Sequence, residues 1–243
     1  MLKSPKRVWT VRKPVENLIS IADFAGKVAG STVENPHKAY ILTTANNIDI
    51  GELQSPNDSN WYEYIESHGF AKYSRIEKLD GTLSNPNVTA NGKNAQTLFS
   101  FNLIEHVERK YGAIPASTVA DKVAWLKANA YFFTFNWHGK GSAPNSTKSK
   151  LGYWNAVSNA WATGPSWERS GTTIQRTPIG FENIHIQHLI DANGFAHFIA
   201  FAEPSDGVTL SKIETDYVNL EVKLKDSVRM ITDLLTGEKR FVI

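Results

Sequence analysis

The chain has 243 residues, 41% of them hydrophobic and 21% charged, with a net charge of +2 and no cysteine. This composition is that of a globular fold rather than a disordered chain and gives no electrostatic reason to expect nucleic acid. It excludes disulfides, zinc–thiolate sites and thiol nucleophiles. No run approaches the roughly 18 apolar residues of a membrane span. The basic Met1–Arg12 stretch has no apolar region behind it, so no signal peptide is expected.

Residues 1–40 carry seven Lys/Arg against three acids, with apolar residues scattered among prolines and glycines. They read as an extended basic arm for assembly docking, with Trp9, Arg12 and Phe24 as its anchoring side chains. Ala39–Ile50 reads as a first strand and Ser55–Asn60 as a turn. Trp61–Lys78 fits a short helix ending near Gly69 followed by more helix or strand. Asp80-Gly81 and Asn91-Gly92 are turns.

The stretch from Gln96 to Trp137 organises the rest. Phe99 and Phe101 alternate in a strand. Asn102 caps a helix carrying Leu103, Ile104, Val107 and Tyr111, which Gly112 ends. Thr118 with Asp121 has the form of a capping box opening a second helix through Ala130. Tyr131, Phe133, Phe135 and Trp137 then alternate in a returning strand.

Residues 139–150 read as a flexible surface loop, 151–161 as a hairpin, 164–171 as a loop and Thr172–Pro178 as a short strand. Ile184, Ile186, Leu189 and Ile190 alternate imperfectly up to the Asp191–Gly194 turn. Phe195–Phe201 is apolar all round, as a strand covered on both faces should be. Tyr217–Leu224 alternates cleanly, and Val228–Ile243 reads as a terminal hairpin. Short strands at about 8–12-residue spacing indicate a mainly β antiparallel sandwich. The expected division is an arm at 1–40, a sandwich at 41–227 with a helical insertion near 102–130, and a hairpin at 228–243.

No phosphate-binding loop, GxSxG elbow or HExxH motif is present, and no catalytic residue is expected. His185 and His188 would fall on opposite faces of a strand, which does not suit one metal ion. His106, His138 and His197 are isolated and read as packed or surface histidines. Glu203 with Asp206, or Glu214 with Asp216, read as turn acids rather than a facing pair. The aromatic concentration is the better lead, because five of the seven Trp lie between Trp125 and Trp167. Trp137, Tyr153, Trp154, Asn155, Trp161 and Trp167 form a candidate carbohydrate site, since sugar C–H groups pack on aromatic faces while Asn supplies directed hydrogen bonds. The same rings could equally be core or subunit contacts.

Several phrases of the chain resemble structural proteins of phages and prophages of Gram-positive, Bacillus-type bacteria. They are Arg12–Gly26, Gly30–Tyr40, Phe99–Gly112, Asp121–Asn129, Phe135–Gly139 and Thr215–Val222, and Leu235–Val242 resembles C-terminal pieces of tail and fibre proteins. The resemblance implies a jelly-roll or galactose-binding-like sandwich in a tail tip, baseplate or fibre. It implies other virion proteins as partners, a homo-oligomer, and contact with host-surface polysaccharide. It also implies synthesis in the host cytoplasm without a signal peptide, with neither nucleic-acid binding nor membrane insertion. Sandwiches of the galactose-binding kind often hold structural calcium, but the single turn at Asp191 does not assign one, so no cofactor or metal is expected. Two alternatives stay open: a carbohydrate-binding module, or a glycan hydrolase pairing Glu105 or Glu168 with Asp206.

Overall fold

The computed structural model describes residues 9–11, 19–42, 51–182, 184–225, 228–233, 236 and 239–242. In chain order these form β1 (Trp9–Val11), β2 (Ile19–Asp23), β3 (Lys38–Ile41), β4 (Tyr62–Glu63), a 3-10 turn at Tyr73–Arg75, β5 (Asn87–Val88) and β6 (Gln96–Asn102). Helices α1 (Leu103–Tyr111) and α2 (Val119–Asn129) follow. Then come β7 (Ala130–Ser142), β8 (Lys148–Asn155), β9 (Ala160–Ser170), β10 (Gln175–Glu182), α3 (Ile184–Leu189), β11 (Phe195–Ala202), β12 (Ser211–Leu224), β13 (Arg229–Asp233) and β14 (Lys239–Val242).

The central unit forms for the reasons its sequence suggests. Asn102 Oδ1 accepts the Glu105 N–H at 3.1 Å, and Gly112, at φ +100°, stops α1 in a conformation that side chains rarely adopt. Thr118 Oγ1 accepts the Asp121 N–H at 3.1 Å, which makes the N-cap bond, and its hydroxyl donates to the Asp121 carboxylate at 2.7 Å.

Four antiparallel pairs nest along the chain: β2 with β12, β6 with β11, β7 with β10, and β8 with β9. Alternate pairs enter opposite sheets. One sheet runs β10-β7-β12-β2, with β5 added to β12, and the other runs β4-β3-β6-β11-β8-β9. A nested ribbon divided in this way is a jelly roll. The phenylalanines seal it: Phe135 stacks on Phe198 across the sheets at 4.1 Å, and Phe99, Phe101 and Phe181 close round them. Burying each such ring contributes on the order of 1.5–3 kcal/mol. A separate sheet, β1-β13-β14, docks through Phe241, whose ring lies 4.8 Å from that of Trp125.

Several expectations change. The arm does not extend to residue 40: β2 is a strand of the sandwich, and Phe24 is fully buried against Tyr73, Phe99 and Phe101. Phe24 is therefore a core residue of its own domain. Arg12 lies outside the described residues, and the backbone of Trp9 is in β1, paired with Asp233. Strand β3 ends at Ile41, and residues 43–50 lie outside the described residues. Trp61–Lys78 holds a two-residue strand and one 3-10 turn, pinned by buried Tyr64, Tyr73 and Ile76 rather than by a repeating apolar face.

Residues 139–150 and 164–171 are largely strand. Gly139 and Gly141 serve close packing: a Cβ on Gly139 would overlap the Trp137 ring and the Glu214 carbonyl, and one on Gly141 the Lys148 carbonyl. Ile184–Leu189 is a helix, with Ile186 and Leu189 turned inward. The strand-based argument about His185 and His188 thus loses its premise, and the described residues include no group of three or more potential metal ligands. Among the described residues, no helix is long and apolar enough to cross a membrane.

Candidate functional site

The site lies on the outer face of the six-stranded sheet. Strand alternation sends Ala39, Phe99, Phe101, Ala196 and Phe198 into the core, which leaves Lys38, Tyr40, Ser100, Phe195 and His197 on the other side. Register sets a transverse row there. Lys38 pairs with Ser100, Ser100 with His197, and Trp154 with Trp161, and the Phe198–Tyr153 pair places Trp154 beside His197. The row runs from a cation through a hydroxyl and an imidazole to two indoles in edge contact at 5.3 Å.

A loop covers part of this face. Trp161 Nε1 donates to the Gln54 carbonyl at 2.7 Å, the Gln54 N–H donates to Gln96 Oε1, and Gln96 Nε2 donates to the Glu52 carbonyl. Beneath it Leu98 and Ile199 are fully buried, which is why β6 and β11 are apolar on both faces.

Beside the loop, two cavities of about 200 and about 170 Å³ adjoin, sharing Asn57, Asp191, Asn193 and His197. The larger reaches Lys38, Tyr40 and Ser100, and the smaller reaches Trp154 and Asn159. Asn159 is held at φ +50°, a left-handed position that Asn accepts more readily than most residues.

His197 is fixed from two sides. Its Nδ1 lies 2.9 Å from Ser100 Oγ and its Nε2 3.4 Å from Asp191 Oδ2. With Nε2–H toward the carboxylate, Nδ1 accepts the Ser100 hydroxyl proton. Asp191 Oδ1 accepts the N–H groups of Asn193 and Phe195. Burial works to raise the Asp191 carboxyl, but the hydrogen bonds from His197 and these backbone groups outweigh it and hold it below its usual value. Burial and then Glu63 push the Tyr40 phenol up to about 12, so it is a protonated donor at neutral pH.

A Ser–His–Asp array invites comparison with a hydrolytic triad. Ser100, however, is 4% exposed and sits mid-strand between β3 and β11. Its backbone groups belong to the sheet ladder, and none is free to stabilise an oxyanion. The array orients an imidazole and a carboxylate toward the cavities.

The residues singled out from the sequence divide between the two faces. Trp137 is fully buried in the core, with Nε1 donating to Thr215 Oγ1 at 2.9 Å, and is out of reach of a ligand. Tyr153 and Trp167 pack on each other against the core side, next to Phe181. Asn155 Oδ1 accepts the N–H groups of Val157 and Ser158 and holds the β8–β9 turn. Trp154 and Trp161 share the outer face. Sequence reasoning missed Lys38, Tyr40, Ser100, Asn57 and Asn193, and treated His197 as isolated. The one signal was a lone Ser and a lone His, each inside a phenylalanine-rich strand.

The acids singled out from the sequence have partners of their own. Glu203 and Asp206 both line an open cavity of about 510 Å³ at the far end of β11. Glu203 is bound to Lys150 at 2.7 Å, and Asp206 accepts the N–H groups of Val208 and Thr209. Glu168 lies between Lys148 and Lys150, and Glu105 pairs with Arg109 along α1. Glu214 bridges Lys140 and Lys212. Asp216 is no solvated turn acid: it is buried at a bulge in β12, where it accepts the N–H groups of Asp80 and Gly81.

No family model and no curated protein matches the chain. Among solved structures it is similar to a chain in the cryo-EM structure of Broad Bean Stain Virus, at 8% identity and a TM-score of 0.26, over 100% of this chain and 96% of that one.

Proposed function

We propose that the protein is a non-enzymatic structural and adsorption subunit of a virion, whose jelly roll carries a carbohydrate-binding groove on the outer face of its six-stranded sheet. The observation that carries the binding half is the row Lys38, Ser100, His197, Trp154 and Trp161, bordered by Asp191, Asn57 and Asn193 at adjoining cavities. Indole rings offer apolar surface to sugar C–H groups, while a carboxylate, an imidazole and amides supply directed donors and acceptors. The virion half is supported by the phage-protein phrases in the sequence and by a jelly-roll topology, an architecture that viral capsid and lectin domains share. The proposed partners are other virion proteins, further copies of this chain and host-surface polysaccharide. A tail-tip, baseplate or fibre position follows the sequence resemblance.

The test is binding of the purified protein to whole Gram-positive cells and to isolated wall polysaccharide, beside Trp161→Ala and Asn193→Ala variants checked for intact folding. Saturable binding weakened in both variants is the expected result. A folded wild-type protein that binds neither cells nor polysaccharide would overturn the adsorption role.

A further inference from the structure

We infer that the groove takes two consecutive sugar units, one bearing an anionic substituent at Lys38 and an uncharged one at Trp154. This rests on the carbohydrate-binding reading above and names the class of saccharide that the site would select.

The first half follows from the shape. Ligand pockets span roughly 300–1,000 Å³. Neither the cavity of about 200 Å³ nor that of about 170 Å³ reaches this range alone, but together they do. They adjoin along one side, because Asn57, Asp191, Asn193 and His197 line both. A ligand filling the site would therefore have two lobes with a polar linkage between them. That is the shape of two linked sugar rings, with the glycosidic oxygen and flanking hydroxyls beside Asp191, His197 and the two amides.

The second half follows from charge. Lys38 lines the larger lobe and forms no ion pair among the described residues. The carboxylates near it are otherwise engaged. Asp191 accepts from His197 and two backbone N–H groups, and Glu63 accepts from the Tyr73 hydroxyl and the Gly30 N–H. The protonated Tyr40 hydroxyl adds a second donor beside the ammonium. An ammonium and a phenol converging on one lobe suit a carboxylate or a phosphate. The smaller lobe offers Trp154 and Asn159 and neither lysine nor arginine, which suits an uncharged ring held by apolar contact and amide hydrogen bonds.

The experiment is competition against saturable binding to isolated wall polysaccharide. The competitors are glucose, a neutral glucose disaccharide, a disaccharide with one uronic acid, and a disaccharide with one glycerol phosphate. They are run on wild type, Lys38→Gln and Asn159→Gly. In wild type the disaccharides should outcompete glucose, and at least one anionic disaccharide should outcompete the neutral one. Which of the two wins assigns carboxylate or phosphate. Lys38→Gln should weaken the anionic competitor about tenfold relative to the neutral one, as loss of one charge-assisted hydrogen bond predicts. Asn159→Gly should weaken both disaccharides while keeping the backbone conformation. Glucose competing as well as the disaccharides would overturn the two-unit site. Equal competition by neutral and anionic disaccharides, unaffected by Lys38→Gln, would overturn the charge assignment. Both results would leave the carbohydrate reading standing, whereas no binding of the polysaccharide itself would remove that reading and this inference together.

Discussion

Acid should loosen the seam between residues 19–42 and α1, and His106 sets the extent. Its ring is buried on α1, with Nε2 2.8 Å from Ser20 Oγ on β2 and the His37 ring 5.5 Å away. Burial first, and then Lys110, bring it down from 6.5 to about 4. The folded value lies below the unfolded one, so the unfolded chain takes up the proton first as pH falls. The contribution is complete above about pH 6.5, is lost progressively between there and about pH 4, and levels off below. The difference corresponds to about 3 kcal/mol, a large share of the roughly 5–15 kcal/mol by which a domain is stable. His37 acts in the same direction. It is buried, and burial, His106, Lys27 and Arg109 all disfavour its charged form. The assay is guanidinium unfolding of wild type and His106→Gln between about pH 7.5 and about pH 4. Shared carboxylate titrations cancel in the comparison. Wild type should lose about 3 kcal/mol more than the variant across this window. Parallel losses in the two proteins would refute the reasoning.

Other outcomes follow from packing and capping. Gly139→Ala should cost about 3 kcal/mol in thermal unfolding, because its Cβ would overlap the buried Trp137 ring and the Glu214 carbonyl, whereas Gly164→Ala, with only a Trp167 ring atom at 4.0 Å, should be near neutral. Thr118→Ala should cost about 1 kcal/mol by opening the α2 cap, measured as a shift in denaturant midpoint at constant slope. Trp161→Phe keeps an aromatic ring but loses the bond to the Gln54 carbonyl, so amide exchange should quicken in residues 51–61 while β6 and β11 stay protected.

What the sequence determined by itself was local. The caps at Asn102 and Thr118, the strand–helix–helix–strand unit, the all-round apolar character of β11 and the period-two faces of β12 depend on nearest-neighbour chemistry, and the structure has them. The sandwich class followed from the spacing of turns. Where local signals are weak or conflicting, tertiary contacts override them. Glycines at 139 and 141 suggested a loop but serve close approach of strands, and Ile184–Leu189 is too short to show a clear helical period. Strand β2 resembles an arm in sequence because it carries alternate exposed isoleucines, Ile19 and Ile21, and gains its order from pairing with β12, about two hundred residues away in sequence. Only the tertiary structure decided the candidate site. Lys38, Ser100, His197, Trp154 and Trp161 come from five strands, and what aligns them is register between strands distant in the chain. A period of two tells which residues share a face of one strand. It carries no information about which strand lies alongside, and so Trp137 and Trp154, alike in sequence, end on opposite sides of the protein's sheets: one in the core and one at the groove.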